Sequence, residues 1–447
     1  MTSIVRKWYT SRMNIRWMDR VIPFGLLATL NIVVLVAWWP MDDWTTRTGS
    51  SYAFLNTIGR LCGLLGATTL AFGFLLNLRL PIFDRWFDGV NRAYQFHHKL
   101  TTIGFSLLLF HPGLVVMKYV PISWDTAAAL LRPSTDLAFA SGSLALWGFM
   151  TLMITSYYLK LPYRIWRMIH RALGVAIISA FVHIMLIPSD VAVNGPLRWI
   201  LLGLYGFAVA ALVYRVFAPR LLVRRRAMVV SAIRPLNHDT LEISLTPKDG
   251  RPYRYEAGQF MFISFEHRLI RHDAHPLSIV SAPSEPVIRL AVKQLGGNTS
   301  RFSNLEPNTL AASEGPFGTF YRRPSAHREV WIAGGIGITP FIGILNAHAE
   351  SIPQLRLWYS VKSMTDAIYR QELESIAKNY PQHAVSIHDT SRDGLLTADK
   401  IMASGVDPST RYYLCGPLPM MVSIRQQLES RGVPAQHIRD EKFSLDK

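Results

Sequence analysis

PLRWILLGLYGFAVAALVYRVFAPRLLVRRRAMVVSAIRPLNHDTLEISL, residues 196–245, holds the point at which the chain changes solvent. Residues 196–217 are almost uninterrupted apolar side chains, long enough as a helix to cross a hydrocarbon core of roughly 30 Å. Arg220, Arg224, Arg225 and Arg226 follow. Beyond Met228 the pattern turns to short alternating runs such as TLEISL, broken by Pro and Asn. Alternation with period two is the mark of half-buried strands in water. A membrane part ends near residue 222 and an aqueous part begins.

Upstream, five more apolar segments have spanning length, at about 21–39, 53–76, 96–118, 136–159 and 166–187. Positive charge alternates between the segments joining them. Arg6, Lys7, Arg12, Arg16 and Arg20 precede the first span, Arg79, Arg85 and Arg92 the third, and Lys160, Arg164 and Arg167 the fifth. The intervening loops are poorer, with Arg47, Lys118, Arg132 and Arg198. The richer set falls on one side, so both termini are expected in the cytoplasm of an integral membrane protein, in a bacterial inner membrane. No small-residue cleavage site follows the first apolar stretch, which therefore reads as an uncleaved span and not a secretory signal.

The net charge of +17 is thus a topology signal. Beyond Arg224–Arg226 there is no clustered basic face to suggest nucleic acid. The two cysteines, Cys62 and Cys415, sit in different halves, outside any CxxC or Cys/His cluster, so neither a disulfide framework nor a zinc site is indicated.

Histidines inside hydrocarbon are costly and mark function. His97, His98 and His111 lie on the third span, His170 and His183 on the fifth. His98 and His111 are thirteen apart, as are His170 and His183, a rise of about 19.5 Å in each helix. Both spans run outward, so His98 with His170 and His111 with His183 form an inner and an outer level. Each level suits one iron clamped by two neutral imidazoles, and two b-type haems are expected. Thirteen residues rotate a helix by about 140° from the starting face and fourteen by only about 40°. His97 is therefore a competitor to His98 as the inner ligand.

The segments HKLTTIG from His98 and HRALG from His170 resemble the membrane domain of the ferric reductase and NADPH oxidase superfamily over all six spans. Arg60, within the second span, needs a partner there, either a haem propionate or the outer interface to which it can snorkel.

The aqueous half begins as a small antiparallel barrel. HPLSIVSAP (275–283) is followed by LAVKQLGGNTSRF (290–302) and GPFGTF (315–320). His275, Pro276, Leu277 and Ser278 belong to a strand able to present hydroxyl and amide donors to anionic oxygens. Gly297 precedes a short helix that Asn298 or Thr299 would cap, its free N–H groups pointing at a phosphate. The succession resembles the FAD-binding barrel of the ferredoxin–NADP reductase superfamily. Members often carry Arg where His275 stands, and the ferric reductase branch often carries His.

EVWIAGGIGITPFIGIL (329–345) reads as an apolar strand, a glycine turn and a helix starting near Pro340. Gly334, Gly335 and Gly337 permit close backbone approach, and Ile338, Thr339 and Pro340 open a helix whose N-terminus suits a pyrophosphate. LRLWYSV and RYYLCGP supply further strands of a doubly wound α/β domain. CGPLPM (415–420) resembles the same superfamily's second nucleotide signature, which implies that Cys415, Gly416 and Pro417 lie near the nicotinamide. In related reductases an aromatic residue near the C-terminus shields the flavin, and Phe443 is the candidate, although four residues follow it here. Ser360, Lys362 and Arg370 could surround a 2′-phosphate, which favours NADPH, while a solvated helix face accounts for Lys362 and Arg370 as well, so NADPH and NADH both stay open.

The expected molecule is multidomain: a six-helix transmembrane haem bundle (1–222), an antiparallel β-barrel for FAD (223–325) and a doubly wound α/β domain for NAD(P)H (326–447). Its expected activity is passage of electrons from NAD(P)H through FAD and two haems to an extracytoplasmic acceptor, oxygen or a ferric chelate. A haem and flavin redox sensor or anchor without turnover is the alternative, and steady NAD(P)H oxidation separates the two.

Overall fold

The computed structural model describes residues 21–78, 83, 86, 87, 90–132, 134–159, 161–217, 225–270, 273–297, 299–321, 328–403 and 410–441. Asn298, Phe443, the 325/326 boundary and several of the basic flanks (6–20, Arg79, Arg85, Lys160, Arg220 and Arg224) lie outside the described residues. The chain divides into two compact units, Met1–Leu222 and Val223–Lys447.

Six helices in the first unit are long and apolar enough to cross a membrane. They are α1 (Val21–Met41), α2 (Ser51–Leu75), α3 (Val90–Val115), α4 (Leu137–Tyr157), α5 (Tyr163–Leu186) and α6 (Gly195–Phe217). Large apolar side chains such as Phe110, Trp147, Trp199 and Phe207 point outward, as lipid rewards and water does not. α2 is the central helix: 56% of its apolar stretch is buried, against 17–28% for the others. Ser50 and Asp136 accept the backbone N–H of Ala53 and Ala138 at 3.1 and 2.8 Å, which satisfies donors left over at the starts of α2 and α4.

Helices in lipid gain little from burial alone, so they associate through close packing of small residues. A Cβ on Gly66 of α2 would stand 2.9 Å from the Gly104 carbonyl oxygen of α3. Ala145 and Phe149 of α4 share one core with Ala176 and Ile177 of α5 and with Ala67 and Leu70 of α2. α2 thus lies along α3, and α4 along α5. Each histidine-bearing helix has its own neighbour.

The second unit opens with six antiparallel strands, β1 (Arg225–Pro235), β2 (Thr240–Pro247), β3 (Phe260–Phe265), β4 (His275–Ser278), β5 (Ile288–Lys293) and β6 (Leu310–Phe317). Their order is β4-β3-β6-β1-β2-β5, and a bridge between Ile279 and Leu290 joins the two edges into a barrel. Alternate residues, among them Met228, Val230, Ile243, Leu245, Met261 and Ile263, fill its interior.

Five parallel strands follow: β7 (Glu329–Gly334), β8 (Leu355–Val361), β9 (His383–Asp389), β10 (Arg411–Cys415) and β11 (Ile438–Glu441). Their order is β11-β10-β7-β8-β9. Every residue of β7 is buried, as a central parallel strand covered on both faces must be. The helices α7 (Thr339–His348), α8 (Arg370–Asn379) and α9 (Leu418–Ser430) complete the α/β domain. The strand order reverses between β7 and β10, the crevice where open α/β sheets bind their ligands.

Candidate functional site

In the membrane unit three histidines are fixed by one device. The Nδ1 of His97, His111 and His183 lies 2.7, 2.8 and 2.7 Å from the carbonyl oxygens of Gly73, Gly59 and Ala138. A carbonyl only accepts, so Nδ1 carries the proton and the Nε2 lone pair of each neutral ring is left for another partner. His97 and His111 are fourteen residues apart, and so are their acceptors Gly73 and Gly59 on α2. α3 therefore leans on α2 twice in the same way.

His98 was the expected inner ligand, but it is exposed. The structure brings His97 to His170 instead, with ring centroids 6.5 Å apart. The reason is the rotation of about 140° that thirteen residues impose. Trp166 stacks on the His170 ring at 4.8 Å and is itself held by Ser156, at 3.0 Å from its indole N–H. At the other level, the His111 and His183 rings are each tied to a backbone carbonyl, of α2 and α4 respectively. Two levels of paired imidazoles from α3 and α5, with Nε2 unprotonated where Nδ1 is tied, form a donor set that fits bis-histidine haem.

Arg60 reaches carboxylates in the segments that follow α1 and α5. Its guanidinium is ion-paired with Asp42 at 2.5 Å and with Asp190, and Asp190 also accepts the indole N–H of Trp38 at 2.6 Å. Two carboxylates already satisfy it, so a propionate partner is not required. No sequence signal linked Arg60 to Asp190, 130 residues away.

In the barrel, β4 carries His275, Pro276, Leu277 and Ser278 beside Ile263, Phe262, Met261 and Phe260 of β3. His275 meets the edge of Phe302 at 5.3 Å. Gly297 has φ +62°, a left-handed turn into the short 3₁₀ segment Thr299–Asn304. Thr299 was an expected cap. It is instead the first residue of that segment, and its hydroxyl donates to the Gly296 carbonyl at 3.0 Å. Sequence reasoning missed Tyr255, whose hydroxyl lies 2.7 Å from the Ala282 carbonyl and 2.9 Å from the Ser281 hydroxyl. It pins the turn that ends HPLSIVSAP. Burial pushes that hydroxyl up to about 12, so it stays a donor.

The two nucleotide signatures meet at the crevice. A Cβ on Gly337 would collide with the Cys415 carbonyl, and one on Gly334 would stand 2.8 Å from Pro417 and 2.7 Å from Met420. Gly335 has φ +51°. After Ile338, α7 begins at Thr339 and Pro340, with the Thr339 hydroxyl donating to the Ile336 carbonyl at 2.9 Å. Gly343 then abuts the Ile279 carbonyl, and Asn346 donates to the Val280 carbonyl at 3.2 Å. The middle and second half of α7 therefore rest directly on the chain after His275–Ser278.

Cys415 itself is fully buried, and burial with Glu441 and Asp440 nearby pushes its thiol well up. It is a protonated small residue and not a thiolate. Ser360 is buried at the end of β8 and Lys362 is exposed, while Arg370 pairs with Glu374 at 2.7 Å on its own helix.

Comparison with known proteins agrees with both units. Residues 62–181 match the ferric reductase like transmembrane component, 225–319 an FAD-binding domain and 331–426 an oxidoreductase NAD-binding domain. Ferredoxin--NADP reductase B of Sorangium cellulosum (strain So ce56) is 28% identical over 235 residues, which is 47% of this chain and 95% of that protein. A flavohemoprotein of Xylella fastidiosa (strain Temecula1) is 25% identical over 232 residues, 49% of this chain and 58% of that protein. The chain thus spans little more than half of the flavohemoprotein. The solved flavohem-like FAD/NAD binding domain of nitric oxide dioxygenase from Vibrio cholerae O1 biovar El Tor aligns over 49% of this chain and 98% of that one. Its identity is 24% and its TM-score 0.43.

Proposed function

Because this chain belongs to the ferric reductase and NADPH oxidase superfamily of oxidoreductases, we propose that it carries electrons from cytoplasmic NAD(P)H to an acceptor across the membrane. The carrying observation is the pair of imidazole levels on α3 and α5, three of whose rings are tied through Nδ1 to backbone carbonyls. His97 with His170 would hold an inner haem b and His111 with His183 an outer one. Bound flavin supplies the exchange between two-electron and one-electron chemistry, and bis-imidazole haem supplies single-electron relay.

The chain's own part is binding, orientation and insulation. His275, Pro276, Leu277 and Ser278, with Gly297, Asn298 and Thr299, line the proposed FAD segment, where hydroxyl and amide donors meet anionic oxygens. Gly335, with open space around it, and the helix start at Ile338, Thr339 and Pro340 would meet the nicotinamide nucleotide's pyrophosphate, while Gly334 and Gly337 admit the Cys415–Met420 segment beside it. Gly416 and Pro417 form the facing wall. Phe443 is proposed to cover the flavin face until the nicotinamide displaces it. Cys415, buried and protonated, shapes the nicotinamide end of the crevice without acting as a base or nucleophile. Ser360, Lys362 and Arg370 remain the 2′-phosphate candidates, since the exposed pair of Arg370 with Glu374 is weak enough to exchange.

The acceptor is extracytoplasmic and small, oxygen or a ferric chelate. Purified protein in lipid should be reduced anaerobically by NADPH or NADH, with about two b-type haems per chain. Addition of oxygen or ferric chelate should then reoxidise it. Absence of haem in protein that still oxidises NAD(P)H would defeat the transmembrane reading.

A further inference from the structure

We propose that Gly63 and Gly142 are matched positioning residues that set the planes of the outer imidazoles, His111 and His183. The inference rests on the reading that those two histidines ligate the outer haem.

A Cβ built on Gly63 would stand 2.5 Å from Nδ1 and 2.7 Å from Cε1 of His111. One on Gly142 would stand 2.7 Å from Nδ1 and 2.8 Å from Cε1 of His183. Small residues at helix crossings ordinarily let backbones approach. Gly59, Gly66 and Gly104 do that, since the nearest atom to each added Cβ is a backbone atom of the neighbouring helix. At Gly63 and Gly142 the nearest atoms are the ring itself. These two glycines make room for an imidazole and not for a helix.

The arrangement occurs twice. His111 bonds the carbonyl of Gly59 and lies on Gly63, one helical turn further along α2. His183 bonds the carbonyl of Ala138 and lies on Gly142, one turn further along α4. Each ring is therefore fixed at one nitrogen and against one flat face, which leaves a single orientation for Nε2. The inner level is built differently: the Gly73 carbonyl takes the His97 Nδ1, but a Cβ on Gly73 would meet Thr101 at 3.1 Å and no imidazole. Groups that orient a ligating histidine tune the metal it holds. The two glycines accordingly act on the outer site alone.

The test is Gly63→Ala and Gly142→Ala in the full chain in lipid, read by haem content, low-temperature electron paramagnetic resonance and redox titration. Each variant should keep both haems and shift the low-spin signal and midpoint potential of the outer haem, leaving those of the inner haem in place. The double variant should shift the outer signal further or lose that haem, halving the haem-to-protein ratio. Gly66→Ala, which presses on backbone and not on a ring, is the packing control, and it should perturb stability without selecting the outer signal. Unchanged outer signals in haem-replete single variants would overturn the assignment. So would a Gly63→Ala defect matching that of Gly66→Ala, with both haems affected alike. Wild-type protein without an outer haem would instead remove the underlying reading, an outcome visible before any variant is made.

Discussion

A single residue of offset separates His97 from His98, and it decides which face of α3 would carry the proposed inner haem ligand. Fourteen residues return a helix to within about 40° of the starting face and thirteen do not, so this part of the site was legible as a choice between two. The deciding contacts, Gly73 and His170, come from other helices and leave no trace in local spacing. His97→Ala should lower haem content from about two to about one per chain, whereas His98→Ala should leave about two. Pyridine haemochrome spectra of purified protein provide the check, and the opposite pattern would return the ligand to His98. The same blindness explains Arg60: its position inside α2 announced a needed partner, but Asp42 and Asp190 reach it only through the fold.

At the scale of elements, the six spans, the barrel strands and the glycine turn all followed from hydrophobic period and turn chemistry, because each is decided by residues close in sequence. The contacts between barrel and nucleotide domain were not legible. Tyr369, at the start of α8, donates to Glu242 of β2 at 2.7 Å, and Arg289 of β5 reaches Glu242 at 3.4 Å and Glu372 at 3.5 Å. Glu242 is only 4% exposed, so a missing donor there is costly. Burial and the neighbouring carboxylate push the Tyr369 hydroxyl well up. Its raised folded value means that its contribution is fully present below about pH 10, the unfolded range, and fades as pH rises beyond it. Tyr369→Phe should destabilise the full chain by about 1–3 kcal/mol near neutral pH. The flavin-release temperature should fall, with haem content unchanged. A wild-type release temperature would show that the Glu242 contact is energetically idle.

For the molecule as a whole, direction is the property that neither unit carries alone. On the orientation expected from the basic flanks, the start of α3 and the end of α6 face the cytoplasm, and the nucleotide-binding unit continues from the end of α6. Within α3, His97 precedes His111, so that orientation would put the His111/His183 level toward the opposite face. Electron transfer should consequently be vectorial. In sealed vesicles, nicotinamide supplied on the face bearing the second unit should reduce a membrane-impermeant acceptor trapped on the other. His111→Leu should abolish that transfer yet retain anaerobic reduction of the remaining haem, because its lesion lies beyond the inner level. Orientation can be fixed independently by protease access to the second unit. If the trapped acceptor stays oxidised while an acceptor on the nicotinamide side is reduced, electrons leave before crossing. The chain would then be a flavin reductase held at the membrane, and the two histidine levels would need another purpose.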